Sequence, residues 1–287
     1  MLRFLRLLVL LALLSSLTTT GYAQAPADTV RRAGRAGSEP ASGRQLRPLN
    51  ADRPGVTESP NTIDPGRFQL ETDLIRLITS KPGQQPRTRT LRLSAFAIRA
   101  GLTDHTEVQV FVDPYVVEKQ WEDGTAPERR AGFGDVAFRV KHNFIGEDEE
   151  NDPLVMAAIG FVRVPTGGRE GAGGYEYGVL LPATYNLSRS WHLSAQAAGL
   201  LSYDRDDRQH AVELAPSFSI DHGFNEWLEV FAEFATSRNL KTRQWTSAIN
   251  LGPIFTVSDR VQLDFGRRFA LSSSASREYY LGLVLER

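Results

Sequence analysis

Apolar and polar residues alternate with a period of two through most of the chain after residue 67. In the first such stretch Phe68 and Leu70 share one parity, and Gln69, Glu71 and Asp73 share the other. This period is typical of a β-strand with one apolar and one polar face. Because the same pattern recurs up to the C-terminus, the sequence predicts an all-β protein.

Twelve alternating segments follow one another at short intervals, with turn-forming residues between them. We place them near residues 68–79, 88–100, 106–117, 133–145, 153–165, 175–187, 191–203, 209–220, 227–236, 244–257, 260–271 and 277–287. Compact turns, such as 101–105, alternate with longer polar loops, such as 118–132 and 166–174. This arrangement predicts an antiparallel up-and-down transmembrane β-barrel of about twelve strands, with both ends on the periplasmic side.

A soluble β-sandwich would also alternate, because its apolar face fills a core while its polar face meets water. The aromatic residues on the apolar parity favour the barrel, since they fall at the two ends of the strands. Those at the turn ends are Phe68, Phe144, Trp191 and Phe255, and those at the loop ends are Tyr203, Trp245, Phe269 and Tyr279. Two aromatic belts around an aliphatic band are typical of the two membrane interfaces.

Three prolines interrupt the predicted strands. Pro182, Pro216 and Pro253 each remove a hydrogen bond from the strand ladder. An unpaired backbone group is costly in lipid, so we expect bulges or protein cover at these positions.

The N-terminal 23 residues have the layout of a secretory signal peptide. Arg3 and Arg6 precede an apolar run over residues 7–17, and Gly21 and Ala23 are the small residues before a cleavage site after Ala23. The run is too short for a membrane-spanning helix, which needs about 20 apolar residues. We expect cleavage, export and a final location in the outer membrane of a Gram-negative cell.

Residues 24–50 are rich in Ala, Gly, Arg and Pro and have no apolar period, which predicts a flexible basic tail. The barrel domain is therefore assigned to residues 51–287. The whole chain has a net charge of −1 and no cysteine. The charge gives no indication of nucleic-acid binding, and the composition excludes disulfides and thiolate metal sites.

Four stretches together resemble a known family. They are DRPGVTESPNTIDPGRFQLETDL at 52–74, RAGLTDHTE at 99–107, GFGDV at 132–136 leading to Lys141, and VPTG at 164–167. They are similar to outer-membrane proteins grouped under the MetA pathway of phenol degradation, whose members are often called transporters. The resemblance covers most of residues 51–287. It implies a Gram-negative outer-membrane barrel that passes hydrophobic or aromatic small molecules.

The sequence gives little indication of a catalytic site. His192 and Ser194 share the lumen-facing parity, but residues two apart on a strand are separated by about 6.6 Å, too far for a nucleophile and its base. The glycine-rich stretch 167–174 lacks the helix and lysine of a phosphate-binding loop and indicates a flexible external loop. The acidic run 147–150 is typical of a solvated turn. We expect no enzyme activity, no cofactor and no metal.

The candidate functional residues are the charged side chains on the lumen-facing parity. They are Glu71, Asp73, Arg92, Glu107, Asp113, Asp135, Arg139, Lys141, Glu213, Glu229, Glu233, Asp264 and Arg268. A barrel of about twelve strands lies between small barrels filled by side chains and large barrels with an aqueous channel. If these acids and bases pair across the lumen they plug it, and if they segregate they line a narrow polar path. Their acidic excess favours cations.

We therefore expect a monomer, surrounded by outer-membrane lipid, that lets small solutes cross passively, with aromatic or hydrophobic molecules as the candidate class. A plug domain for energy-coupled uptake does not fit in a chain of this length. The alternative is a non-conducting barrel with a structural or surface-interaction role, in which loops 118–132 and 166–174 are the contact surfaces.

Overall fold

The computed structural model describes residues 46–84, 86–146, 152–205 and 207–287. The expected signal peptide, residues 24–45 of the expected tail and the acidic run 147–150 lie outside these residues. No helix in the described ranges is long and apolar enough to cross a membrane. The strands are β1 Phe68–Ser80, β2 Arg87–Thr103, β3 Thr106–Val112, β4 Tyr115–Trp121, β5 Glu128–Gly132, β6 Val136–Ile145, β7 Leu154–Val164, β8 Glu176–Asn186, β9 Trp191–Asp204, β10 Gln209–Leu214, β11 Ser217–Asn225, β12 Leu228–Asn239, β13 Trp245–Ser258, β14 Val261–Ala270 and β15 Ser276–Glu286.

The strands form one antiparallel sheet that closes on itself. Strand β1 pairs with β2 on one side and with β15 on the other. At the seam the backbone N–H of Phe68 donates to the carbonyl of Arg287 at 2.9 Å, and the N–H of Arg287 donates back at 2.8 Å. Strands β3 and β4 both pair with β2, and β10 and β11 both pair with β9. In the same way β6 pairs with β3 and β5 pairs with β4, so that β5 and β6 lie end to end. Each of these couples is one interrupted strand, so the predicted closed barrel of twelve strands is confirmed.

The predicted loop over residues 118–132 is wrong, because most of it is strand. Strand β4 continues to Trp121, and β5 begins at Glu128 and pairs with it. Only residues 122–127 connect the two strands. In residues 118–121 and 128–132 charged or polar side chains lie on both faces, so this part of the hairpin has no apolar parity that would reveal it in the sequence.

The prolines lie where the strand ladder is interrupted. Pro216 falls between β10 and β11. Pro182 keeps its pairing with Gln196 of β9, and Pro253 keeps its pairing with Val230 of β12. The register against β7 and β14 skips these two prolines, because proline has no N–H to donate.

The burial pattern is the inverse of that in a soluble protein. Arg99 and Lys141 are 0% exposed in the interior, whereas Phe138, Val140 and Val179 are 49%, 51% and 53% exposed on the outside. A soluble sandwich would bury its apolar face and expose its charges. An apolar exterior around a polar interior is typical of a transmembrane barrel.

Aromatic side chains mark both ends of this apolar exterior. Phe68 and Trp191 are exposed at the turn ends of β1 and β9, and Trp245 and Tyr279 are exposed at the loop ends of β13 and β15. These positions match the two interfaces of a membrane.

The closed ladder predicts heat-modifiable migration on SDS gels. We expect detergent-refolded protein spanning residues 24–287 to run faster unboiled than boiled, because the closed sheet stays compact in SDS until it is heated. Identical mobility before and after boiling, together with solubility in the absence of detergent, would contradict a transmembrane barrel.

Candidate functional site

Residues 46–66, here called the inserted segment, enter the barrel from the turn end and return to it before β1. Near the turn end, Arg47 Nη1 donates to the carbonyl of Asp104 at 2.9 Å, and the N–H of Gly66 donates to the carbonyl of Gly101 at 2.9 Å. Between these two anchors, residues 53–58 form the apex, which contacts residues in the middle of several strands. The predicted boundary between tail and barrel at residue 50 falls inside this segment.

Arg99 of β2 joins the barrel wall to both limbs of the inserted segment. Its Nε donates to Glu107 Oε1 at 2.8 Å, and its Nη1 donates to Glu71 Oε1 at 2.7 Å. It also donates to the backbone carbonyls of Asn50 at 3.1 Å and Asn61 at 3.2 Å. A fully buried guanidinium needs such partners, so the segment completes a site that the wall alone leaves unfinished.

Asp52 is the carboxylate that the inserted segment adds to this cluster. Its Oδ1 accepts from Lys141 Nζ at 2.5 Å, and its Oδ2 accepts from Gln109 Nε2 at 2.9 Å. Its own N–H donates to Glu71 Oε1 at 3.0 Å. The ammonium of Lys141 is fully buried, so Asp52 supplies the closest counter-charge to it.

Arg53 fixes the apex to the wall formed by β1, β14 and β15. Its Nε and Nη2 donate to the two carboxylate oxygens of Asp264, both at 2.8 Å, and its Nη1 donates to Asp73 at 2.8 Å. Such a two-pronged contact fixes direction as well as charge. A Cβ atom added at Gly282 of β15 would overlap Nη2 of Arg53, so this glycine makes the room that the guanidinium occupies.

The apex is also held by strands β11 and β12. Glu233 of β12 accepts from the backbone N–H of Val56 at 2.8 Å and of Thr57 at 2.6 Å. The hydroxyl of Thr57 donates to Ser217 Oγ of β11 at 2.8 Å. The apex is therefore fixed by backbone donors as well as by charged side chains.

Glu58 and Arg139 attach the apex to the opposite wall. Arg139 of β6 donates to Glu58 at 2.5 Å. Its guanidinium carbon lies 4.0 Å from the ring centre of Phe111 and 5.6 Å from that of Phe161. This part of the lumen combines a charge pair with two aromatic faces, where a cation–π contact stabilises the arginine.

The inserted segment separates two cavities in the lumen. The larger, about 540 Å³, lies toward the loop end and is lined by Arg76, Arg92 and Phe161 among others. The smaller, about 230 Å³, lies toward the turn end and is lined by His192 and Thr256 among others. Both are also lined by the apex residues Arg53, Pro54, Gly55 and Glu58. The apex is thus the partition between them.

The two cavities differ in charge. The larger has acids and bases in similar numbers, including Asp113, Asp135, Arg163 and Arg268. Among its described lining residues, the smaller sets one base, Arg53, against the carboxylates Glu58, Asp221, Glu229 and Glu233. The smaller cavity is therefore acidic.

The predicted lumen residues divide into three groups. Those that contact the inserted segment are Glu71, Asp73, Glu107, Arg139, Lys141, Glu233 and Asp264. The others that line a cavity are Arg92, Asp113, Asp135, Glu229 and Arg268. Glu213 lies on β10 opposite Leu200 of β9, which lines the larger cavity, but Glu213 is not itself part of either cavity lining.

Sequence reasoning missed the partners that the inserted segment supplies, above all Asp52, Arg53 and Glu58. These residues stand in an irregular stretch without a period of two, so no parity assigned them to the lumen. The sequence held only an indirect indication of these contacts. Charged residues stand in a Pro- and Gly-rich stretch directly before the first strand, and such charges need partners if the stretch is buried in the barrel.

The glycine-rich loop, expected to be flexible, folds onto the carboxylate of Asp135. The N–H of Gly167 donates to Asp135 Oδ1 at 2.9 Å, and the N–H of Ala172 donates to Oδ2 at 2.6 Å. Arg205 Nη2 donates to the carbonyls of Gly168 and Gly171, both at 2.7 Å. The loop is anchored beside the larger cavity.

His192 and Ser194 are engaged with separate neighbours on β8. His192 Nδ1 lies 2.8 Å from Asn186 Oδ1, and Ser194 Oγ lies 2.9 Å from Thr184 Oγ1. This arrangement orients both side chains across the strand pair and is not that of a nucleophile with its base.

The barrel is similar to solved outer-membrane structures. An outer membrane channel from Pseudomonas putida F1 aligns with a TM-score of 0.61 at 11% identity, over 82% of this chain and 99% of the other. The KdgM porin aligns with a TM-score of 0.47 at 8% identity, over 76% of this chain and 98% of the other. The NanC porin aligns with a TM-score of 0.48 at 8% identity, over 74% and 98%.

No curated protein matches the chain in sequence. A family model does match, over residues 51–281, which include the apex of the inserted segment and all but the last residues of the barrel. The chain belongs to the family described as "Putative MetA-pathway of phenol degradation".

Proposed function

We propose that this protein is a monomeric channel of the Gram-negative outer membrane, through which small amphiphilic solutes cross passively. The observation that carries the proposal is that two cavities, one toward each end of the lumen, are separated by the apex of the inserted segment. The family membership and the likeness to a barrel that is itself named an outer membrane channel support it. For a solute to pass from one cavity to the other, the apex has to move aside.

The larger cavity favours solutes with an aromatic or apolar body and a polar group. Its wall includes Phe111, Phe161 and Leu180, with Arg139 stacked against the two rings. Its volume of about 540 Å³ lies in the range of pockets that hold small molecules. The description of the family, which refers to phenol degradation, supports the same solute class.

The alternative is a non-conducting barrel with a structural or surface-interaction role. It is favoured by one observation, namely that the inserted segment pairs with many of the charges in the lumen, as Asp52 does with Lys141 and Arg53 does with Asp264. Conductance distinguishes the two functions.

In planar bilayers the refolded protein is expected to show small, discrete openings that prefer cations. The preference follows from the carboxylates of the smaller cavity, because fixed charge in a narrow pore attracts the opposite ion. The measurement is the reversal potential in a KCl gradient. Preference for anions would contradict this charge assignment, and silence from a correctly folded protein would favour the structural barrel.

Loosening Arg53 is expected to increase conductance at least twofold. Arg53→Gln removes the contacts to Asp264 and Asp73, and Gly282→Ala pushes the same guanidinium aside without changing any charge. Single-channel recording of both variants measures the effect.

Gly199→Ala is the matched control for the glycine substitution, because a Cβ added at that strand position meets open space. It is expected to conduct like the unmodified protein. If Arg53→Gln and Gly282→Ala also conduct like the unmodified protein, Arg53 does not hold the partition in place.

A further inference from the structure

Four cations lie in one lateral row on the barrel exterior near the loop end. In strand register Arg129 of β5 lies opposite Lys119 of β4, which lies opposite Arg89 of β2. Arg89 lies opposite Thr79 of β1, which in turn lies opposite Arg277 of β15. Arg89, Lys119, Arg129 and Arg277, here called the basic row, are all exposed.

The basic row sits directly above an apolar row on the same outward face. Two residues toward the turn end, the same strands carry Val117, Leu91, Leu77 and Tyr279 in register. Side chains two apart on a strand share a face, and Tyr279 is exposed on the outside. The exterior therefore changes from apolar to basic within one row.

The row lacks neutralising partners among the residues that the structure describes. None of its four side chains forms an ion pair with a described carboxylate, whereas on the inner parity of the same hairpin Arg130 pairs with Glu128 at 2.8 Å. Like charges on neighbouring strands repel each other. An anion from outside the chain would relieve this repulsion, so the basic row is suited to bind one.

The height of the row matches the outer boundary of the hydrocarbon layer. Phe68, in the turn-end aromatic belt, and Thr79, in the basic row, are both on β1. With a rise of about 3.3 Å per residue and a tilt of about 40°, the two lie about 28 Å apart along the membrane normal. The apolar band of such barrels is about 25 Å tall, so the row lies at the level of lipid headgroups.

We propose that the basic row binds the phosphate groups of a phosphorylated glycolipid in the outer leaflet. The inference rests on the proposed outer-membrane location, where the longer loops of a barrel face outward, but not on conduction. At about 4.8 Å per strand, the row extends over about 19 Å, long enough for more than one phosphate of a headgroup. Acyl chains would lie against the apolar row below it, beside Arg267, which stacks 4.2 Å from the ring centre of Phe269.

The unmodified protein provides the first test, with no risk of misfolding. Native mass spectrometry of the refolded protein in detergent would compare bisphosphorylated lipid A with the same lipid after enzymatic dephosphorylation. We expect the phosphorylated lipid to bind at least tenfold more tightly. Equal binding of the two lipids would overturn the proposal.

A charge-matched pair of variants tests the location. Changing Arg89, Lys119, Arg129 and Arg277 together to Gln is expected to weaken lipid A binding at least tenfold. The control changes Arg169, Arg208, Lys241 and Arg243 to Gln, since these are also exposed cations at the loop end and their loss changes the net charge equally. Equal weakening in both variants, or none in the first, would overturn the assignment to the row.

Conductance separates this proposal from the proposed function. The variant of the basic row is expected to conduct like the unmodified protein, because none of its substitutions is in the lumen. A protein that is silent in bilayers yet binds lipid A through the row would contradict the channel and leave the lipid site intact.

Discussion

The structure depends on the pairing of buried charges between the inserted segment and the barrel wall. Arg99 and Lys141 are fully buried, and their partners come from both the wall and the segment. Removing one partner of a buried pair costs about 3–5 kcal/mol, because it leaves the other charge uncompensated. The segment is thus part of the folded barrel, and any state in which it leaves the lumen must find new partners for these charges.

The same contacts give the partition a specific position and a polar character. Arg53 donates hydrogen bonds to two carboxylates and occupies the space that Gly282 leaves open. Glu233 accepts hydrogen bonds from the backbone N–H groups of Val56 and Thr57 in the apex. These contacts are polar and directional, so water or the polar group of a solute can take over their hydrogen bonds, whereas an apolar core offers a polar solute no such partners. A polar partition between two cavities is therefore compatible with passage, whereas a packed apolar plug would not be.

The period of two was sufficient to predict the barrel, since it places apolar side chains such as Val140 outside and charged ones such as Lys141 inside. It also assigned Glu71 and Asp73 to the lumen. It could not predict their partners, because Asp52 and Arg53 lie in an irregular stretch whose contacts depend on the closed fold. The part of the β4–β5 hairpin after Val117 was missed for a related reason, because charged side chains lie on both of its faces. What periodicity cannot supply is the pairing of side chains that are distant in sequence.

The most direct test of this account is a disulfide between the apex and the wall. The chain has no cysteine, and the hydroxyl oxygens of Thr57 and Ser217 lie 2.8 Å apart, so Thr57→Cys with Ser217→Cys places two thiols within bonding reach. Oxidation of the refolded double variant, read on non-reducing gels after boiling, should give an internally cross-linked species that reductant abolishes and that neither single variant forms. A heat-modifiable, correctly folded double variant that fails to cross-link would contradict the placement of the inserted segment in the lumen.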